Sequence, residues 1–373
     1  MSATDVGYPS LAGQPQVRAL LERAVSSGQV SHAYLFVGPA GSGKTETAFA
    51  FAASILCPNG GCGACDDCIR VAHRTHPDVR FVSPGGVSSY TVDQVREIVR
   101  DTQLAPIRSA AKVYILDRAD LLSKAAANAF LKTLEEPPSD VVFILLARTS
   151  ENVLATIRSR CQAVRFHQIP ADAACRYLEQ ETGTDRAHAR MALAAGSGSL
   201  SRAREFLVSP SRKSLAQLVL QTLGRLPRCD DLDVLEAAAR LLEAIDDSLS
   251  EVRVRQRQES ERGRDYFDRT ALRAIEKRQK RELSAGQRRR LQDVFSITRS
   301  WLRDCLLVCQ GLEREIVYVD DAETLARAAA LTSTERIPQA LRATAAAERQ
   351  ISYNVTPQLV VETMLFEIRK AFL

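Results

Sequence analysis

Eight consecutive residues have the types and the spacing needed to hold a phosphate group. They are Gly38, Pro39, Ala40, Gly41, Ser42, Gly43, Lys44 and Thr45. An apolar run, residues 33–37, precedes them, and a helix-like stretch from Glu46 to Leu56 follows. In this setting the glycines let backbone N–H groups turn toward one anion, the lysine reaches the terminal phosphates, and the threonine can hold Mg²⁺. The segment predicts binding of ATP or ADP with Mg²⁺; a chance glycine-rich turn is the alternative.

Residues 112–117 predict a second buried strand that ends in a carboxylate. Asp117 could hold Mg²⁺ through water, although an aspartate at this position can also be a simple turn residue. An active ATPase of this kind usually has glutamate next, to polarise the attacking water. Arg118 stands there instead, and a cation cannot accept the proton of the water. We therefore expect hydrolysis at this site to be slow or absent.

Four of the nine cysteines lie within twelve residues, separated by glycine, proline and asparagine. They are Cys57, Cys62, Cys65 and Cys68. Tight turns that carry paired thiolates are what a tetrahedral Zn–S₄ site needs, and no ligand position is left for a substrate. The spacing therefore predicts a structural zinc ion. Buried free thiols and an iron–sulfur cluster are the alternatives.

Length and composition indicate a globular protein of two or three domains. The chain has 373 residues, of which 45% are hydrophobic and 25% charged. It has no run of eighteen apolar residues, and Met1 to Gly13 lacks the basic and then apolar pattern of a signal peptide. We therefore predict a cytoplasmic protein without membrane contact, in which thiols stay reduced.

The order of apolar runs predicts an α/β domain followed by an all-α region. The runs occupy residues 33–37, 79–82, 113–117, 141–147 and 163–166, with helix-like segments between them. Continuous apolar strands that alternate with helices are typical of a parallel sheet covered on both faces. The α/β domain would end near residue 170. Short amphipathic helices follow to residue 208, and residues 209–373 show a helical pattern without strands.

Several segments together resemble the bacterial clamp-loader branch of the AAA+ family. They are Ser31 to Phe36, the four-cysteine module at 57–68, Ala126 to Pro138 with its Leu-Lys-Thr-Leu-Glu-Glu-Pro-Pro ending, and Ser159 to Cys161. The resemblance covers roughly residues 7–208, and the rest only by architecture. It implies an AAA+ P-loop domain at 1–170, a small helical lid domain at 171–208 and a helical collar domain for oligomerisation at 209–373.

The resemblance also implies a function. The chain would be an accessory subunit of DNA polymerase III that binds ATP, hydrolyses little of it, and helps to load the sliding clamp onto primer–template DNA. Its partners would be the motor (gamma/tau) and delta subunits of the loader. The motor subunit keeps an acidic residue where this chain has Arg118. One alternative is a catalytically active ATPase, either of the motor type or a related remodelling enzyme. The other is a zinc-stabilised scaffold with a vestigial nucleotide site.

Three further positions receive roles from the same resemblance. Arg160 matches the arginine that enters the ATP site of a neighbouring subunit, an arginine finger in trans, and it follows a helix-like segment at 151–157. A solvated basic turn is the alternative for it. Thr149 matches a sensor position, although Arg148 replaces the usual small residue. Arg202 lies one residue away from a second sensor arginine. For both Thr149 and Arg202 an ordinary surface residue is the alternative.

Positive charge is concentrated in one part of the helical region. Residues 253–290 contain fourteen Lys or Arg against six Asp or Glu, although the whole chain carries a net charge of only +5. Such a basic insertion could lie along DNA phosphates. A solvated helix or a mobile insertion is the alternative, and the lack of an aromatic ladder predicts no base stacking.

Overall fold

The computed structural model describes residues 14–84, 89–250, 252–254, 256–257, 269–351, 353 and 355–373. The chain divides into two compact units. The first comprises residues up to Tyr177 together with Gly198–Ser201, and the second comprises Leu178–Ser197 and Arg202–Leu373. The three-domain division at residues 170 and 208 stays a prediction.

A five-stranded parallel sheet forms the centre of the first unit. Its strands are β1 (Ala33–Val37), β2 (Val79–Val82), β3 (Lys112–Leu116), β4 (Val141–Ala147) and β5 (Gln162–Arg165). Their order across the sheet is β2, β3, β4, β1, β5, and every pairing is parallel. The predicted parallel sheet is confirmed, with β3 and β5 each beginning one residue earlier than their apolar runs.

Helices cover both faces of this sheet. They are α1 (Pro15–Ser26), α2 (Lys44–Leu56), α3 (Asp66–Ala72), α4 (Val92–Asp101), α5 (Lys124–Glu135) and α6 (Ala155–Arg158). Because side chains alternate along a strand, Tyr34 and Phe36 pack with Phe51 of α2 on one face. Leu35 packs on the other face, in a cluster that includes Phe130 of α5. The predicted cover of both faces is therefore confirmed.

The second unit is built from helices. In chain order the remaining helices are α7 (Ala171–Thr182), α8 (Arg186–Ala195), α9 (Leu200–Val208), α10 (Pro210–Arg225), α11 (Asp231–Asp247), α12 (Arg269–Cys309), α13 (Ala322–Ala329), α14 (Ile337–Ile351) and α15 (Pro357–Lys370). The long helix α12 packs against α8, α10, α13 and α14. Trp301 and Leu302 of α12 are fully buried in this core. Among the described residues beyond 209 no strand occurs, which confirms the combined α/β and all-α fold class.

The basic insertion predicted at 253–290 is described only in part. Residues 255 and 258–268 lie outside the described residues, and residues from 269 onward form the first part of α12. Arg290, at the end of this segment, contacts its own chain, since its Nε donates to Ser248 Oγ at 3.1 Å. In the part of the chain that the structure describes, no helix is both long enough and apolar enough to cross a membrane.

Candidate functional site

The loop between β1 and α2 has a backbone that glycine alone accommodates. Gly43 is the N-cap of α2 and has a φ of 81°, in the left-handed region. Gly41 has a φ of 80°, and a Cβ there would lie 2.4 Å from the carbonyl oxygen of Gly198. Helix α2 begins at Lys44, so its free N–H groups and the positive end of its dipole face this loop. The loop is thus shaped to receive an anion.

The ammonium of Lys44 lies among the oxygen atoms of the same loop. Nζ donates to the carbonyl oxygens of Gly38 at 2.6 Å and Pro39 at 2.7 Å, and to Ser42 Oγ at 3.2 Å. Burial lowers the pKa of Lys44 to about 8, and the nearby Asp117 carboxylate partly opposes that shift. A phosphate group would favour the charged form of this lysine, because its negative charge stabilises an ammonium that burial otherwise disfavours.

The carboxyl end of β3 carries two acids near this lysine. Asp117 follows the strand, and its N–H donates to the carbonyl oxygen of Val82 at 2.8 Å. The negative charges of Asp117 and Asp120 both oppose the lowering of the Lys44 pKa by burial, so both carboxylates stabilise its ammonium electrostatically. Tyr90 supports this turn, since its hydroxyl donates to the carbonyl oxygens of Val82 and Asp117. Sequence reasoning missed Tyr90, which no local pattern marks.

Arg118 is held by the second of these acids. Its backbone lies in the left-handed region, with φ 54°, an uncommon conformation for a residue with a side chain. Its guanidinium forms an ion pair with Asp120, with Nη2 and Oδ2 3.2 Å apart. The Asp120 carboxylate is 6% exposed. Asp120, the acid closest in sequence to Asp117, is therefore paired with the Arg118 guanidinium.

The two predicted sensor residues lie in different surroundings. Thr149 is exposed just beyond β4, and its neighbour Arg148 lies near enough to Lys44 to lower the lysine pKa. Arg202 belongs to the second unit, where its Nη2 lies 2.7 Å from Oδ1 of Asp293. Asp293 is 8% exposed, and its other oxygen accepts from Arg212 at 3.1 Å. A carboxylate of the same unit thus already pairs with the candidate sensor arginine.

Gln14 is another residue that sequence reasoning missed. Its Nε2 donates to the carbonyl oxygen of Ser42 at 3.4 Å, and its Oε1 accepts from the N–H of His167 at 3.2 Å. The side chain therefore connects the phosphate loop with the segment after β5. Gln14 is buried although it precedes α1, and no sequence signal distinguishes it from an ordinary polar residue before a helix.

Arg160 lies at the surface just after α6. The predicted helix at 151–157 is shorter in the structure, because Leu154 is extended with ψ 134° and α6 begins only at Ala155. The Nη1 of Arg160 donates to the carbonyl oxygen of Thr156 at 2.9 Å. Its Nη2 forms an ion pair with Glu135 of α5, and the two side chains are 34% and 46% exposed. An exposed pair of this kind contributes about 0–1 kcal/mol, so the guanidinium can exchange partners at small cost.

The four predicted metal-binding cysteines converge. All four Sγ atoms lie within 4.8 Å of one another, and Cys57 Sγ lies 3.7 Å from Cys62 Sγ and 3.6 Å from Cys65 Sγ. Sulfurs at the corners of a zinc tetrahedron are about 3.8 Å apart, given Zn–S bonds of about 2.3 Å. Burial raises the pKa of Cys57, but N–H donors from Cys62, Gly61 and Asn59 outweigh it and bring the pKa to about 6. The cluster is compatible with zinc.

The segment that follows the cysteines is anchored by charged groups. Arg108 forms ion pairs with Asp66 and Asp67, the first two residues of α3. His76 Nε2 lies 3.3 Å from the same Asp67. Its Nδ1 accepts from the N–H of Asp78 at 3.1 Å. These contacts tie the cysteine module to the loop between α4 and β3.

Asp78 is the buried centre of that anchor. Its carboxylate accepts the N–H groups of Ile107, Arg108 and Ser109 at 2.6, 2.8 and 2.9 Å. Burial alone raises the pKa of Asp78, but these three donors outweigh it and hold the pKa below its ordinary value. The ionised form is therefore the one that stabilises the fold.

We expect Asp78→Asn to lower the free energy of unfolding at pH 7 by about 3 kcal/mol, because an amide has one acceptor oxygen and no charge. The wild-type contribution is complete above the unfolded pKa of about 4 and is lost as the pH falls through the lower folded pKa. The difference between the two proteins should therefore shrink below pH 4. Urea unfolding from pH 7 to pH 3 measures it, with the exposed Asp93→Asn as control. An unchanged difference at pH 3 would contradict this account.

The chain is similar to known subunits of DNA polymerase III. Residues 13–170 match the family described as DNA polymerase III, delta subunit. The delta' subunit of DNA polymerase III from Bacillus subtilis is 36% identical over 172 residues, which are 45% of this chain and 52% of that protein. The delta' subunit from Pseudomonas aeruginosa is 39% identical over 152 residues, which are 39% of this chain and 46% of that protein.

A gamma/tau subunit is similar over a stretch of comparable length. The gamma/tau subunit of DNA polymerase III from Mycobacterium tuberculosis is 37% identical over 167 residues, which are 44% of this chain and 29% of that protein. The chain thus spans about half the length, or less, of these curated relatives. Because the identities to delta' and gamma/tau subunits are close, sequence similarity does not separate the two kinds of subunit.

Proposed function

We propose that this chain, whose residues 13–170 match the DNA polymerase III delta subunit family, acts as a delta-prime-like subunit of the bacterial clamp loader. In this role it binds ATP, hydrolyses little of it, and works beside the motor (gamma/tau) and delta subunits. It thereby helps to load the sliding clamp onto primer–template DNA. The whole assembly, including clamp and DNA, is part of the proposal.

The observation that carries the proposal is Arg118. A motor subunit needs a carboxylate after Asp117 that accepts a proton from the attacking water. The side chain in that place is a guanidinium, and it is paired with Asp120, the next acid along the chain. Asp120 is therefore a poor substitute base, because taking up a proton would weaken its ion pair. Binding without turnover is the function that this arrangement supports.

The residues present fit the proposed cofactors. The left-handed Gly43 and the partly buried ammonium of Lys44 suit the phosphates of ATP or ADP. Thr45 and Asp117 would hold Mg²⁺, which supplies charge neutralisation to the phosphates when it is bound. Thr149 and Arg202 are proposed as nucleotide sensors. For Arg202 this requires that it leave Asp293.

Arg160 is proposed to act outside its own chain. Its guanidinium is one-third exposed, and its partner Glu135 is also at the surface. A neighbouring subunit that presents an ATP γ-phosphate offers a stronger partner than a solvated carboxylate, because the phosphate carries more charge in a drier site. Glu135 would position the side chain until that neighbour is present.

A gamma/tau-like ATPase is the second candidate. It is favoured by the intact phosphate loop and by the 37% identity to the Mycobacterium tuberculosis gamma/tau subunit. The two candidates differ in turnover by the isolated chain. A scaffold with a vestigial nucleotide site differs from both, because it would bind no ATP.

We expect the purified chain to bind a fluorescent ATP analogue with Mg²⁺ but to turn over ATP well below about 1 s⁻¹, the lower end of the usual enzyme range. Lys44→Ala should weaken nucleotide binding by at least about tenfold, because one charged contact to phosphate contributes about 1.5–3 kcal/mol. Nucleotide titration and phosphate release measure the two quantities. Lys124→Ala, at an exposed lysine of α5, is the matched control.

The outcomes separate the three candidates. Turnover near or above about 1 s⁻¹ that Lys44→Ala abolishes would establish the motor instead. Lack of nucleotide binding by a folded chain would leave only the scaffold.

A further inference from the structure

A cavity in the second unit has no part in the proposed function. It has a volume of about 330 Å³ and lies between the end of α10 and helix α13. Leu220 and Ala328 are buried in its lining, and Leu331 is 44% exposed at the same cavity. The apolar part of this mixed lining can receive one side chain of a partner, because burying apolar surface is favourable.

Three arginines line the same cavity. They are Arg225 and Arg228, at the end of α10 and just beyond it, and Arg327 of α13. All three are exposed, and none forms an ion pair with an acid among the residues described for this unit. Arg327 Nη2 donates only to the hydroxyl of Thr324, at 3.2 Å. Three guanidinium groups thus offer donors to one concave surface, and no described carboxylate is paired with any of them.

One acid belongs to the lining, and it can offset only one of the three positive charges. Asp321 lies at the start of α13, beside Asp320. Burial raises the pKa of Asp321, and the adjacent Asp320 raises it further. Its ionised form is therefore less favourable than that of an ordinary surface aspartate. The lining carries a positive charge that an anionic ligand would complement.

We propose that this cavity binds an acidic peptide segment of a partner protein, with an aliphatic or aromatic side chain of the peptide in the apolar part. Carboxylates on either side of that side chain would pair with the arginines, whose planar guanidinium groups match a carboxylate with two parallel hydrogen bonds. A buried apolar anchor inside a charged rim is the usual anatomy of a small protein interface.

Nucleic acid fits the same surface less well. Phosphates would satisfy the arginines but leave the apolar residues of the lining unused, and none of the described lining residues is an aromatic one that could stack on a base. The inference goes beyond the proposed function and does not depend on nucleotide binding or on Arg160.

The test uses the full chain and labelled six-residue peptides with four aspartates and two leucines, two isoleucines or two phenylalanines. We expect saturable binding by fluorescence anisotropy, and at least about tenfold weaker binding when alanine replaces the two apolar residues. Arg228→Glu and Arg327→Glu should each weaken binding at least about tenfold, because a repulsive pair replaces an attractive one. Arg240→Glu, at an exposed arginine of α11 outside the cavity, should change it less than about twofold.

The remaining outcomes overturn the proposal. Lack of saturable binding by any of the peptides up to about 1 mM, the weak limit of specific recognition, would do so. If the alanine peptide bound as tightly as the peptides with large apolar residues, the proposed apolar anchor would be wrong. A single-stranded oligonucleotide that binds more tightly than every peptide, with the same sensitivity to Arg228→Glu and Arg327→Glu, would show that the surface serves nucleic acid. The peptide comparison needs only the wild-type chain, so it holds even if a variant fails to fold.

Discussion

Replacing Arg160 with alanine is expected to stop ATP turnover at one site of the reconstituted clamp loader, while this chain stays folded and assembled. An arginine finger stabilises charge that develops on the γ-phosphate, and its loss should slow the site it serves about 10³-fold. The assembly would lose the ATP turnover that this site contributes, and the rate of clamp loading would fall as a result. Arg160→Lys should rescue little, because a single ammonium cannot reproduce the planar fork of a guanidinium.

The experiment compares DNA-stimulated ATP turnover and clamp loading for complexes that differ only in this chain. Arg158→Ala is the matched control, because Arg158 is exposed two positions earlier and donates to the carbonyl oxygen of Ser150 at 3.3 Å. Glu135→Gln should change the free energy of unfolding by about 0–1 kcal/mol, the range for exposed pairs. Circular dichroism and gel filtration must first show a folded, assembled Arg160→Ala chain. Loading at the wild-type rate by such a complex would disprove the role in trans.

Serine in place of any cluster cysteine is expected to release the metal and unfold the module at 57–68. Thiolate ligands hold structural zinc with about 10–16 kcal/mol in small zinc-binding peptides, and that binding energy is folding energy. Even a small part of it is large beside the total stability of a domain. We therefore expect one zinc per wild-type chain, and loss of both zinc and hydrogen-exchange protection in Cys57→Ser and Cys68→Ser.

Elemental analysis of protein purified without added metal measures the zinc content, and a chelator should reproduce the effect of the substitutions. Cys309→Ala is the matched control, because this half-buried cysteine lies outside the cluster, on α12. Zinc near zero in a correctly folded chain would contradict the site. If the analysis instead found iron and sulfide in equal amounts, the cysteines would hold an iron–sulfur cluster, the alternative that the spacing left open.

The sequence by itself determined the sheet and the phosphate loop. Buried parallel strands are continuous apolar runs, and helices alternate with them, so both signals are local and the five strands were located to within one residue. The glycines of the loop and the four clustered cysteines are also local patterns, since a turn or a short chelating segment needs only neighbours in the chain. The resemblance to a family also rests on such segments, and residues 13–170 match the family described as DNA polymerase III, delta subunit.

Only the tertiary structure decided what the charged side chains contact. Nothing in the sequence pairs Arg202 with Asp293, or Arg160 with Glu135, because these partners lie 91 and 25 residues apart. Asp78 likewise meets backbone N–H groups about thirty residues away, at a site that no motif marks. Ion pairs and buried carboxylates depend on which surfaces the fold brings within hydrogen-bond distance, and their side chains are common on any surface. Local patterns therefore predicted where the chain could bind phosphate and metal, whereas long-range packing decided which arginines are engaged and which are free.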